Sequence, residues 1–188
     1  MSRWNRKQLV LDASLATGSS DPMFNPTGGL PGDANRRILE AVWKEGHIAV
    51  FNRKLREEWR AHAGRSATRW LQLMESKSLT ANEEGGTYAV LMAPACDCLS
   101  NEGEKAALAK DFHLVQSALA TGQLILSNEV RFPRHVAQAC SSVKEFAGLY
   151  YGNPVVEGDS CRLWIKAGAE KVAGRRIDVW AGNHRATA

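Results

Sequence analysis

KDFHLVQSALATGQLILSNE, Lys110 to Glu129, is the stretch whose reading decides the fold. Leu114, Val115, Ala118 and Leu119 recur at three-and-four spacing, which marks the core face of a short helix opened by Asp111. Gly122 stands where a helix stops in a left-handed residue. Leu124, Ile125 and Leu126 then run apolar without alternation, the pattern of a parallel strand covered on both faces. Ser127, Asn128 and Glu129 follow at its carboxyl end, the edge at which open α/β sheets place their ligands.

The same grammar appears near the start of the chain. Gln8, Leu9, Val10 and Leu11 form an apolar run that stops at Asp12, with Ser14 two residues on. Two predicted strands therefore end on carboxylates, and a helix between them opens with a third. Three acids brought to one sheet edge repel one another by several kcal/mol unless something neutralises them, and a divalent cation does so.

With 188 residues the chain fits one domain with an extension and buries a substantial core. The balance of 24 Lys plus Arg against 20 Asp plus Glu leaves a formal charge of +4, a mild tilt toward anionic partners. Cys96, Cys98, Cys140 and Cys161 fit no zinc template and the five histidines are scattered, so reduced structural thiols are expected. Asp12 interrupts the only apolar run near the basic N-terminal residues, and no stretch reaches membrane-spanning length. The reading is a cytoplasmic protein without membrane contact.

Read in order, Gly18 to Asp33 is a Gly-, Ser-, Pro- and Asn-rich loop, and Asp33 caps a helix through about Lys44 with Ile38, Leu39, Val42 and Trp43 inward. Gly46 closes it, and HIAVF, 47–51, is the second strand of a β-α-β crossover. Asn52 caps the next helix, in which Leu55, Trp59 and His62 share a stripe, Glu58 borders it and Glu57 pairs with Arg53. RSATRWLQLMES, 65–76, is another helix. Arg53, Lys54, Arg56, Arg60, Arg65 and Arg69 make this region the most basic of the chain, as a phosphate backbone requires; a solvated face is the plainer reading. Ser78 to Gly86 reads as a polar loop, Thr87 to Met92 as strand or helix, and Pro94 to Asn101 as a loop. Glu102 and Glu104 start or cap the helix leading to Asp111, and either of them, or Asp97, is a candidate outer metal ligand. Beyond Arg131, a helix is expected over Pro133 to Phe146 with Val136, Ala137, Cys140 and Val143 inward. After Gly148 the pattern weakens: Arg162 to Ile165 and Ile177 to Trp180 read as short strands, and the tail from Gly182 as mobile.

Four segments in this order, LVLDAS, NRKLREEW, KDFHLVQSALATG and ILSNE, resemble a PIN domain, the fold of many metal-dependent ribonucleases. The resemblance runs over about residues 8 to 147. It implies an α/β fold of three layers, α/β/α, around a central parallel sheet of Rossmann-like kind, with residues 7–147 as nuclease domain and 148–188 as a C-terminal extension. By position, Asp12 stands for the family's first aspartate and Ser14 for the small polar residue two along. Glu58 falls on the helix glutamate, and Asp111 on the aspartate of the D-x-x-L-(V/I) helix. Glu129 stands where the family has aspartate, a side chain longer by one methylene. The resemblance implies hydrolysis of RNA with Mg²⁺ or Mn²⁺, the ions that an all-oxygen carboxylate cluster favours. Asp12 and Asp111 are the expected inner ligands, Glu58 and Glu129 ligands or orienters of metal-bound water, Ser14 and Asn128 tuners through hydrogen bonds, and Arg131 a phosphate contact. His113, two residues from Asp111 on the helix, is placed on another face.

Toxin-type PIN proteins carry the same segments, which implies an antitoxin protein as partner, and PIN-like domains pair as homodimers. Two readings compete with the nuclease. One is a PIN-like module that binds RNA or a protein without cutting, favoured by Glu129 and the modest net charge. The other is a Rossmann-like small-molecule enzyme, disfavoured because no Gly-rich phosphate loop follows the first strand.

Overall fold

A computed structural model of the chain describes residues 6–17, 31–84 and 86–184. Five short strands form one all-parallel sheet: β1 (Gln8–Leu11), β2 (Ile48–Phe51), β3 (Thr80–Asn82), β4 (Leu124–Leu126) and β5 (Tyr150–Gly152). Their spatial order is β3-β2-β1-β4-β5. Val10 is in register with Val50 on one side and with Ile125 on the other. The strand order reverses at β1, so Asp12 and the residues after β4 stand at the switch point where such sheets bind ligands. Leu9, Val10, Leu11, Ile125 and Leu126 have no solvent exposure, as strands covered on both faces require.

Helices cover both faces. One group is α2 (Pro31–Lys44), α4 (Arg65–Ser76), α8 (Pro154–Glu157) and α9 (Asp159–Lys166), with α2 packed on the other three. The other centres on α6 (Glu102–Ala120), which packs on α5 (Met92–Asp97) and α7 (Phe132–Ala139), while α7 packs in turn on α10 (Ile177–Asn183). Between β1 and α2 lies the single turn α1 (Ser14–Thr17), and α3 (Arg53–His62) follows β2. This is the three-layer α/β/α architecture expected from the sequence. Among the described residues no helix is long and apolar enough to cross a membrane.

Several local expectations are corrected. Asp111 does not open a short helix: α6 begins at Glu102, capped by Asn101, whose side-chain oxygen accepts from the Glu104 N–H at 2.9 Å. Gly122 is not the left-handed residue; Gln123 is, with φ 62°. Gly122 is needed for another reason, since a Cβ there would lie 2.2 Å from the Gln8 carbonyl oxygen. Helix α2 starts before Asp33, which sits in its first turn and pairs with Arg36 and Arg37. His62 is exposed, off the stripe that buries Leu55 and Trp59. The predicted loop 18–33 lies outside the described residues up to 30.

The polar stretch after Ser78 contains the edge strand β3, and the expected loop around the two close cysteines is helix α5, preceded by a 3-10 turn over Gly86–Leu91. Helix α7 ends at Ala139 rather than at Phe146, and a 3-10 turn covers Lys144–Gly148. The segments 162–165 and 177–180 are not strands but parts of α9 and α10; the extra strand of this region is β5, paired with β4. Residues 150–184 thus complete the sheet and both helical layers, with Gly182 inside α10. The four cysteines are free thiols.

A candidate carboxylate site at the sheet edge

Asp12 leaves the end of β1 with its backbone still tied to β4, its N–H donating to the Leu126 carbonyl at 2.9 Å. Its side-chain Oδ2 accepts two hydroxyls, Ser14 Oγ at 2.6 Å and Ser127 Oγ at 2.6 Å. Each hydroxyl in turn accepts a backbone N–H from the segment after β4. Asn128 N–H donates to Ser14 Oγ and Glu129 N–H to Ser127 Oγ, both at 3.0 Å. Asn128 also donates its amide to the Ser14 carbonyl at 3.1 Å. The ends of β1 and β4 are thereby laced together through one carboxylate oxygen. Charge-assisted bonds of this kind are about twice as strong as neutral ones.

Behind this corner stands Tyr151 of β5, fully buried, whose phenol shares its one proton between the Ser127 carbonyl at 3.1 Å and the Glu129 carbonyl. Burial pushes the phenol well above its ordinary pKa, so it remains a donor. Glu129 is held through its backbone, and its side chain is exposed.

The facing wall comes from α3 and α6. Asn52 caps α3, its Oδ1 accepting from Leu55 N–H at 2.7 Å, and its amide donates to His113 O at 3.0 Å and to Ser117 Oγ at 2.9 Å on α6. One buried side chain therefore fixes the start of one helix and ties it to the next. Glu58 and Asp111 project from these two helices, with side chains 25% and 23% exposed. Glu58 lies 3.3 Å from His113 Nε2 and 3.9 Å from Lys54 Nζ; Lys54 also bonds the Lys110 carbonyl. His113 consequently turns toward α3 and the acids, contrary to the expectation that it faces away. Burial holds its pKa down, Glu58 opposing, and its Nε2 is sealed from solvent without an aligned hydrogen bond.

Asp111 carries the clearest electrostatic sign of convergence. Burial pushes its carboxyl up to about 6; Lys110 pulls the other way, and Asp12, Glu129 and Glu58 each add repulsion. Three of the acids anticipated from the sequence thus lie near enough to Asp111 to act on it. Asp111 and Glu129 also line one cavity of about 570 Å³ with Glu104, Lys110, Arg131 and His135. Of the outer acids, only Glu104 reaches that cavity; Glu102 pairs with Lys105, and Asp97 is exposed.

The residues fit a hard divalent ion in donor type. All are oxygen donors, and Asn128 Oδ1 is a buried acceptor without a hydrogen-bond partner among the described residues. Their side chains nevertheless stand apart: among the described residues no group of three His, Cys, Asp or Glu side chains is placed to hold an ion.

Of the six basic residues of α3 and α4, Arg53, Lys54 and Arg56 are engaged within the fold, and Arg60, Arg65 and Arg69 are exposed. Arg56 pairs with Glu75 at 2.7 Å, bonds Asn82 and lies over the Phe51 ring, while Arg53 pairs with Glu57 as expected. Sequence reasoning missed Ser127, Tyr151 and the bridging role of Asn52. Ser127 had a signal, a hydroxyl at the end of a strand beside one that ends on an acid; Tyr151 had none. No protein-family model, no curated protein and no solved structure matches the chain.

Proposed function

We propose that this protein is a Mg²⁺- or Mn²⁺-dependent endoribonuclease acting at Asp12, Glu58, Asp111 and Glu129. One observation carries the reading: Asp111 is pushed up to about 6 in a setting where three other carboxylates repel it. Burial is the main cause of the shift and the neighbouring acids add to it; a cation would relieve both, and strongly perturbed acids cluster at functional sites. The sequence likeness to PIN domains supplies the reaction class.

In this reading a bound divalent ion supplies a water of lowered pKa and offsets charge on the leaving oxygen. Asp12, held at Oδ2 by two hydroxyls, offers its other oxygen in a fixed direction. Asp111 and Glu58 close from the opposite wall, where His113 Nε2 lies 3.3 Å from Glu58. Glu129, longer than the family's aspartate and exposed at its side chain, orients water. The antitoxin partner and the homodimer rest on the sequence likeness alone, and co-purification and sizing of the full chain test them.

The test is cleavage of single-stranded RNA with and without Mn²⁺. Wild-type protein is expected to cut only with the ion, and Asp111→Asn to abolish cutting while keeping the native circular dichroism spectrum. Equal cutting by both proteins removes the case for this site. A module that binds RNA or a protein without cutting is the second reading. It is favoured by the exposed, unanchored Glu129 side chain, and absence of saturable Mn²⁺ binding in calorimetry would establish it over the first.

A further inference from the structure

The cavity shared by Asp111 and Glu129 extends away from the acids, between the first turns of α6 and the start of α7, where it is lined by Glu104, Lys110, Arg131 and His135. His135 is 8% exposed, yet its ring takes part in no hydrogen bond among the described residues. The ring lines the cavity, so its nitrogens are within reach of a ligand there. Burial lowers the His135 pKa, with Glu104 opposing and Arg131 and Arg134 reinforcing, so the neutral ring has one N–H to offer. Arg131 stands exposed at the rim and makes no ion pair among the described residues. Lys110 lies 3.8 Å from Asp111.

We propose that this cavity is the subsite for a phosphate of the polynucleotide strand next to the one that is cut, bound by Arg131, Lys110 and the His135 ring. It accepts the anion only after the neighbouring acids have taken up their cation. The charges set that order. Glu104, Asp111 and Glu129 outweigh Lys110 and Arg131 in the free protein, so an anion is repelled. A divalent ion on the acids reverses the balance, and Arg131 then provides planar, charge-assisted donors suited to phosphate. By linkage, the anion must strengthen ion binding by the same factor. The inference rests on the metal-site reading above and adds to it the subsite and the order of binding.

Uridine 5′-monophosphate is the probe, because it presents a phosphate and has no diester to cut. In NMR titrations of the full chain with Mg²⁺, it is expected to shift the His135 ring resonances saturably, and replacing Mg²⁺ by EDTA to weaken binding by about tenfold or more. Arg131→Ala, at an exposed position, is expected to weaken binding about tenfold. His135→Asn is expected to weaken it too, and if that variant misfolds the arginine variant decides alone. A silent His135 ring, or equal affinity in Mg²⁺ and EDTA, overturns the proposal. Inorganic phosphate binding as tightly as the nucleotide overturns its polynucleotide part. Mn²⁺-dependent cutting with a silent His135 defeats the subsite and spares the nuclease. Mg²⁺-dependent nucleotide binding by a chain that cuts no RNA supports the subsite and defeats the nuclease.

Discussion

The two walls of the acidic site are held in opposite ways. At the β1–β4 corner, Asp12 receives two hydroxyl bonds of 2.6 Å, and each hydroxyl is itself fixed by a backbone N–H. On the α3–α6 wall, Asp111 has a lysine at 3.8 Å, and burial and neighbouring acids push its carboxyl up to about 6. The corner is a finished hydrogen-bonded structure, whereas the wall is under electrostatic load.

The joint between the walls should show the largest effect. Asn52→Ala removes the cap of α3 and both of its bonds to α6 from a side chain 4% exposed. A loss of about 3 kcal/mol in urea denaturation is expected. A loss below about 1 kcal/mol would mean that the walls are not tied there.

Relieving the load should stabilise the protein. A carboxyl moved from its ordinary 3.8 to about 6 is a group whose stabilising contribution is present below about pH 4 and lost as pH rises through about 6. Asp111→Asn is therefore expected to raise stability at pH 7 by about 2–3 kcal/mol without metal, a gain that fades toward pH 4. Mg²⁺ should raise the melting temperature of wild type more than that of the variant. A destabilised Asp111→Asn at pH 7 would contradict the load.

Breaking the corner should act with the opposite sign. Ser127→Ala deletes a donor to Asp12 and an acceptor for Glu129 N–H at a fully buried position, and is expected to cost about 2 kcal/mol by thermal melting. Lys54→Ala should move least. Its ion pair with Glu58 spans 3.9 Å and the lysine is half exposed, so stability should change by no more than about 0.5 kcal/mol.

What was legible in the sequence follows the same division. Strands β1, β2 and β4 are buried on both faces, so their composition alone reveals them. Thr80–Asn82 is a three-residue polar edge, and Tyr150–Gly152 ends in glycine, so neither shows a period. The short apolar runs of α9 and α10 fit a strand template as well as a helix, and packing decides between them. Asp12, Ser14 and the preference for Glu58 over Glu57 could be read from strand ends and helix faces; Glu57 is indeed exposed and paired with Arg53. The orientation of His113 could not, because it depends on where α3 lies against α6. Nor could the Asp12–Ser127 bond, which joins residues 115 positions apart.

Tyr151 has a consequence for the order in which the protein becomes competent during synthesis. Its phenol braces the carbonyls of Ser127 and Glu129 from behind, though every acid of the site precedes it in the chain. A nascent polypeptide paused before residue 151 has cleared the ribosome would carry all four carboxylates and lack the support that sets Ser127 and Glu129. Maturation of the edge thus waits for Tyr151 to emerge, whatever the order in which the earlier helices and strands form.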